Sequence, residues 1–441
     1  MSMKSTRRTR VLAAAVLSLS LIAVACGSDN ASESTSAAET TAASSETTAA
    51  VETTEAGTVC EPATGEPIKI GTTVWTLEMI ALRIKLPGVK AAVEEINNCG
   101  GINGRPIEWI YCASADANDG EACARKMVDE GVVAVVADAN YMADVAQAKI
   151  LEDAGIADID PFSNMPEVLN SPNTFSMCPP TPIEYAGIAA AMKAAGYTDY
   201  YYFAGAMSSA QNSVDAFEGA AAHYGGLTNV GRVDVPITAA DYLPQVQTMV
   251  DAGADLNVGI IAPFMSALVL QAADQLGVQA KLGVSFGQFN ASQYEEFADA
   301  LEGSVFVSCT PPLSAVDNYP KVKAAYDGIA AWLENHPDDP DADVAAADQL
   351  STLAIRGYLS VYAFAEVAKQ LDTVDAASVL DALKNNTEGI DVGLDQPWIT
   401  GVAGPTGFSA VNNGLLYLIQ MKDGELQLLQ PEPIDALESF K

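Results

Sequence analysis

Between Ala92 and Ile110 the chain reads AVEEINNCGGINGRPIEWI: the end of an amphipathic helix, a turn punctuated by Gly100, Gly101 and Gly104, and an apolar strand. Ile68 to Thr73 (IKIGTT) supplies a strand before that helix, and a further helix from Glu121 to Glu130 leads into Val132 to Asp138 (VVAVVAD). Strands and helices in strict alternation specify a mostly parallel sheet covered by helices. Strands ending near Thr73, Cys112, Asp138 and Pro161 make one such series. A second begins with a helix from Ile183 to Ala195. It continues through strands at Tyr200 to Ala204, Asn229 to Val235, Leu256 to Ala262 and Lys281 to Ser285, and ends at VFVSCTPP (Val305 to Pro312). The expected fold class is therefore α/β.

Several ordered segments carry a more specific likeness. The helix ending in EEIN, the GGING turn, ARKMVDEGV (Ala124 to Val132), EDAGI (Glu152 to Ile156) and ITAADYLPQVQTMVDAGAD (Ile237 to Asp255) resemble the extracytoplasmic solute-binding proteins of branched-chain amino-acid ABC importers. The resemblance covers nearly everything after Pro67. It implies the type I periplasmic-binding-protein fold, two doubly wound lobes joined by three crossovers. Lobe 1 is then residues 60–178 and 310–400, and lobe 2 is 179–309 and 401–441. It also implies capture of a small molecule between the lobes, delivery to an ABC permease, no cofactor and a monomer. A ligand-sensing lipoprotein of the same fold is the alternative.

The N-terminus points to export. Lys4, Arg7, Arg8 and Arg10 precede an apolar run from Val11 to Ala25, followed by Cys26-Gly27-Ser28, the layout of a secretory signal with a lipobox-like site. The run is shorter than the roughly 20 residues of a bilayer span. Residues 1–25 are read as signal peptide, Cys26 as the lipidation site, and 26–59, rich in Ser, Thr, Ala and Glu, as a disordered tether with too little apolar surface to fold. The expected location is the outer face of a bacterial cell membrane, held by lipid alone. A formal charge of −35 disfavours nucleic acid and anionic lipid surfaces, which are bound by clustered Lys and Arg.

Beyond Cys26 the cysteines are Cys60, Cys99, Cys112, Cys123, Cys178 and Cys309. Cys60 precedes the first strand and Cys99 ends the helix after it, so both fall at one edge of the sheet. Cys112 ends the second strand, and Cys123 lies in the helix that follows. Cys178 and Cys309 sit in similar segments, TFSMCPP and VFVSCTPP, which in the family are neighbouring crossovers. These three pairs are the expected disulfides. Free or metal-binding thiols are the other reading, against which stand the absence of C-x-x-C and the near absence of histidine.

Ligands of open parallel sheets bind beyond the carboxyl ends of the strands. By family register the expected ligand-binding positions are Tyr141 where amino-acid binders place a serine, Phe162 and Asn164 where they place Ala and Thr, Ser209 in place of a tyrosine, and Phe286 in place of the acid that pairs with the ligand ammonium. An unpaired buried ammonium costs several kcal/mol, against about 8 kcal/mol for a whole micromolar complex. Free α-amino acids are disfavoured unless Asp138, Asp160 or Glu78 substitutes. Trp75, Tyr141, Phe162, Phe264 and Phe286 make the crevice aromatic and suit a planar or apolar ligand. Arg356 or Arg83 is a candidate for a ligand carboxylate, and helix N-termini at Ser163 and Tyr141 for an anion. An acidic or amide end on an apolar ligand follows.

Catalysis lacks parts. The two histidines, His223 and His336, fall far apart in the expected lobes, so no His-based dyad is found and no enzyme is expected. Asp339, Asp341 and Asp343 have calcium-like spacing, but Val344 and Leu350 replace the required Gly and Glu, and no metal site is expected.

Overall fold

The computed structural model describes residues 60–76, 82–140, 143–206, 210–345 and 351–441. Two sheets organise this region. The first contains β1 (Ile68–Trp75), β2 (Ile107–Ser114), β3 (Ala134–Val136), β4 (Ala157–Ile159) and β5 (Thr174–Phe175), in the order β2-β1-β3-β4-β5 and parallel throughout. The central strand β1 is buried at nearly every position, because helices cover both faces and leave no solvent side for alternation to mark.

The second sheet contains β6 (Asp199–Gly205), β7 (Thr228–Val235), β8 (Leu256–Ile260), β9 (Leu282–Ser285), β10 (Val305–Ser308), β11 (Leu415–Lys422) and β12 (Glu425–Leu428), in the order β12-β11-β10-β9-β8-β6-β7. A short β13 (Ile434–Asp435) pairs with β11. Strands β6 to β10 are parallel, whereas β11 runs antiparallel to β10 and β12 antiparallel to β11. The chain thus leaves the first sheet after β5, leaves the second after β10, and returns to it at β11.

Between β10 and β11 the chain contributes helices Pro320–Asn335 and Thr352–Ala368, which pack with helix Leu86–Asn98 over the first sheet. Two glycines let those helices touch backbone to backbone. A Cβ on Gly88 would fall 1.9 Å from the Ala354 carbonyl oxygen, and one on Gly357 would fall 2.3 Å from that of Lys85. Any larger residue would push the helices apart and open the core between them. Helix Thr181–Ala195 packs its apolar face on the second sheet beside helix Ala210–Tyr224.

Disulfides join Cys60 to Cys99, Cys112 to Cys123, and Cys178 to Cys309. The third ties the segment after β5 to the segment after β10. No helix among the described residues is long and apolar enough to cross a membrane. Cys26 and the rest of the expected signal and tether lie outside the described residues, as do Glu78, Tyr141 and Ser209 and the side chain of Phe264.

Candidate functional site

The carboxyl ends of the first sheet carry an apolar cluster. Val74 and Trp75 end β1, Ala139 follows β3, and Leu82 and Leu86 begin the next helical segment; Phe162, Trp109, Tyr111 and Leu353 pack partly buried against them. Trp75 is buried, and its indole Nε1 has no hydrogen-bond partner among the described residues. Asn164 is partly exposed and its side chain makes no hydrogen bond among the described residues. At the second sheet, Phe286 follows β9. It is partly exposed and stacks on Tyr294 with ring centroids 5.0 Å apart. The Phe286–Gln288 turn packs against the first turn of helix Thr352–Ala368, so the two sheets approach each other here.

Arg356 is not available to a ligand carboxylate. Its Nε donates to Asp160 Oδ2 and its Nη2 to Asp160 Oδ1, each at 2.9 Å, in a pair buried from solvent. Asp160 also accepts from the backbone N–H groups of Met177 and Cys178 at 3.2 and 3.0 Å. Burial pushes its carboxyl upward, but the guanidinium and these donors prevail and hold it below the usual carboxylate range. Arg83 pairs through Nη2 with Asp341 at 2.5 Å, and its Nε has no hydrogen-bond partner among the described residues.

Asp138 and Asp160 do not replace the missing ammonium partner, because both are buried and engaged. Gln147 Nε2 donates to Asp138 Oδ2 at 2.6 Å, and Lys85 Nζ donates to the Asp138 carbonyl at 3.2 Å. Burial, and then the charge of Asp138, pushes the neighbouring Asp158 carboxyl well above the ordinary carboxylate range. Burial, and secondarily Arg356, lowers Lys85 to about 8. Thr73, Gln147, Asn140 and Ser114 extend this network in a hydrogen-bonded chain beneath the strand ends.

Two acids that pattern reading passed over lie closer to the crevice. Asp144 opens helix Asp144–Ala154, where an anion was expected, and fills that helix end with its own carboxylate. Ser163 Oγ donates to its Oδ2 at 2.5 Å and the Val145 N–H to its Oδ1 at 2.9 Å, so Ser163 is spent on an acid and not on a ligand. Burial outweighs both donors and raises Asp144 to about 6. Glu184 lies in the first turn of helix Thr181–Ala195 and accepts from Ser285 Oγ at 3.0 Å, immediately before Phe286. Burial raises it to about 7, even though Arg356 and Ser285 both act to lower it. The only available signal in sequence was an acid close to the start of a helix that follows a crossover or a strand.

Strand ends of two α/β sheets that approach each other, with aromatic side chains on both, are the place where open α/β folds bind ligands. The chain belongs to the periplasmic binding protein family, which matches residues 85–425. One stretch is 35% identical over 82 residues to the leucine-, isoleucine-, valine-, threonine- and alanine-binding protein of Pseudomonas aeruginosa. That match covers 18% of this chain and 22% of that protein, about a fifth of the relative's length. Among solved structures, an extracellular ligand-binding receptor from Verminephrobacter eiseniae superposes with a TM-score of 0.66 at 17% identity, covering 82% of this chain and 99% of that one. The branched-chain amino acid transporter substrate-binding protein LivJ of Streptococcus pneumoniae, in complex with isoleucine, gives 0.64 at 18% identity, covering 84% and 99%. A fatty acid ABC transporter substrate-binding protein from Thermomonospora curvata gives 0.64 at 16%, covering 86% and 96%. At these identities the likeness is one of fold.

Proposed function

We infer that this chain is the substrate-binding component of an ABC importer, anchored outside the membrane through Cys26. Its lobes, 60–178 with 310–400 and 179–309 with 401–441, close on a small solute and present it to a permease. The solute has an apolar or aromatic body and lacks an α-amino-acid head. The observation that carries this reading is the pairing of Arg356 with Asp160 beside the cluster of Trp75 and Phe162. The arginine that would neutralise an α-carboxylate is already engaged, while apolar surface is gathered at the strand ends. Leaving a ligand carboxylate buried without a cation costs several kcal/mol, too much for a micromolar complex of about 8 kcal/mol. The names of two proteins of similar fold, one in complex with isoleucine and one a fatty acid transporter component, are compatible with a change of head group on a shared architecture.

Calorimetry with leucine, isoleucine, valine and phenylalanine, set against aromatic compounds without the α-amino-acid head, tests this. The amino acids should bind weakly, and Phe286→Ala should reduce affinity for the bound aromatic by about 1 to 3 kcal/mol through lost burial. Micromolar leucine binding with a neutral Phe286→Ala would restore an ordinary amino-acid receptor.

A further inference from the structure

Beneath the strand ends Arg356 is paired with Asp160, and Lys85 Nζ donates to the Asp138 carbonyl. Two further acids, Asp144 and Glu184, take part in neither contact. Each is partly exposed at the strand-end side of its sheet, each carboxylate is fixed by a hydroxyl, Ser163 or Ser285, and neither forms an ion pair among the described residues. Arg356 acts on Glu184 electrostatically, but its side-chain hydrogen bonds go to Asp160.

An acid near a helix N-terminus is ordinarily there to meet the helix dipole, which favours its ionised form and lowers its pKa. Both of these are raised instead, by burial that outweighs the hydroxyl donors and, at Glu184, the charge of Arg356. Two carboxylates held in place by hydroxyls, one at the strand-end side of each sheet, have no direct ion pair among the described residues. The partly exposed side chains of Phe162 and Phe286 present aromatic surface at the same strand ends, and an aromatic face also attracts a cation.

We propose that the solute is an amine on an apolar or aromatic body, and that Asp144 and Glu184 are the carboxylates that receive its ammonium group. The proposal rests on the reading of this crevice as the solute site. It needs no cation for a ligand carboxylate, which the commitment of Arg356 has removed.

Three probes with one body test it on the full chain in mild detergent: 3-phenylpropylamine, 3-phenylpropionamide and 3-phenylpropionate. The amine should bind at least about tenfold tighter than the other two, as expected for a charge-assisted contact. Glu184→Gln and Asp144→Asn should each weaken the amine about tenfold and leave the amide within about twofold. Because an ammonium holds Glu184 ionised, binding at pH 7 should release protons, seen as different apparent enthalpies in Tris and in phosphate. A purely structural role for either acid would produce no such difference. Propionate or amide binding as tightly as the amine, or amine affinity unchanged in both variants, would overturn the proposal while leaving the crevice reading intact. Failure of all three probes to bind would overturn both.

Discussion

Arg356 and Asp160 lie 196 positions apart in sequence and meet in two parallel hydrogen bonds of 2.9 Å, Nε to Oδ2 and Nη2 to Oδ1. The same carboxylate holds the N–H groups of Met177 and Cys178. One side chain therefore fastens a helix that arrives late in the chain to the place where the chain leaves the first sheet.

Arg356→Ala should destabilise the protein by about 3 to 5 kcal/mol, because it strands a buried carboxylate. Combining it with Asp160→Asn should cost less than the two single changes together, since the charge left behind is then removed. Urea denaturation of the four proteins gives the comparison. Strict additivity would show that the pair is not coupled.

Stability should fall as pH rises from about 5 to 8. Glu184 and Asp144 have folded pKa values raised to about 7 and about 6, so within that window the folded state holds protons that the unfolded state has released. Their contribution is complete below the ordinary carboxyl range and is lost as pH passes through the raised values. Glu184→Gln should flatten this slope and stabilise the protein at pH 8 by about 1 to 3 kcal/mol. Thermal melts across pH, with unliganded protein, measure it; a slope unchanged by the substitution would refute the assignment.

Non-reducing peptide mapping should recover Cys60 with Cys99, Cys112 with Cys123, and Cys178 with Cys309. Replacing Cys60 and Cys99 by serine opens a loop with a separation of 39 residues. The chain-entropy treatment values that closure at about 4 kcal/mol. Alkylatable thiols at these positions in protein secreted under oxidising conditions would count against the bonds.

Cys26→Ser should abolish incorporation of labelled lipid and release the protein into the medium, because a single signal run and a polar tether offer no other hold on a bilayer. Membrane fractionation decides this, and full retention of the variant would remove Cys26 as the anchor.

Much of the architecture was readable because alternation is local. IKIGTT, the GGING turn and VVAVVAD each declare themselves within a few residues, and their order specifies parallel pairing. The antiparallel arrival of β11 beside β10 is a long-range choice that no period announces; likeness to a family assigns residues 401–441 to the second lobe but not the direction of the strand. The crevice was readable in one respect, since Trp75 and Phe162 follow from where strands end. Charge was harder. Arg356 stands after an apolar triplet in a helix, which signals burial but not its partner. Glu184 and Asp144 each lie in the first turn of a helix, where an acid is common and carries no mark of its partner. A carboxylate's role depends on which cations are already engaged, and that inventory exists only in three dimensions.

The bond between Cys178 and Cys309 has a mechanical consequence. It pins together the two points at which the chain passes out of the parallel strands of one sheet and then of the other. Bodies joined at a pin keep their freedom to rotate and lose most of their freedom to slide. Relative movement of the two sheets is thereby reduced to an angle, and the widest excursion falls at the rim farthest from that pin.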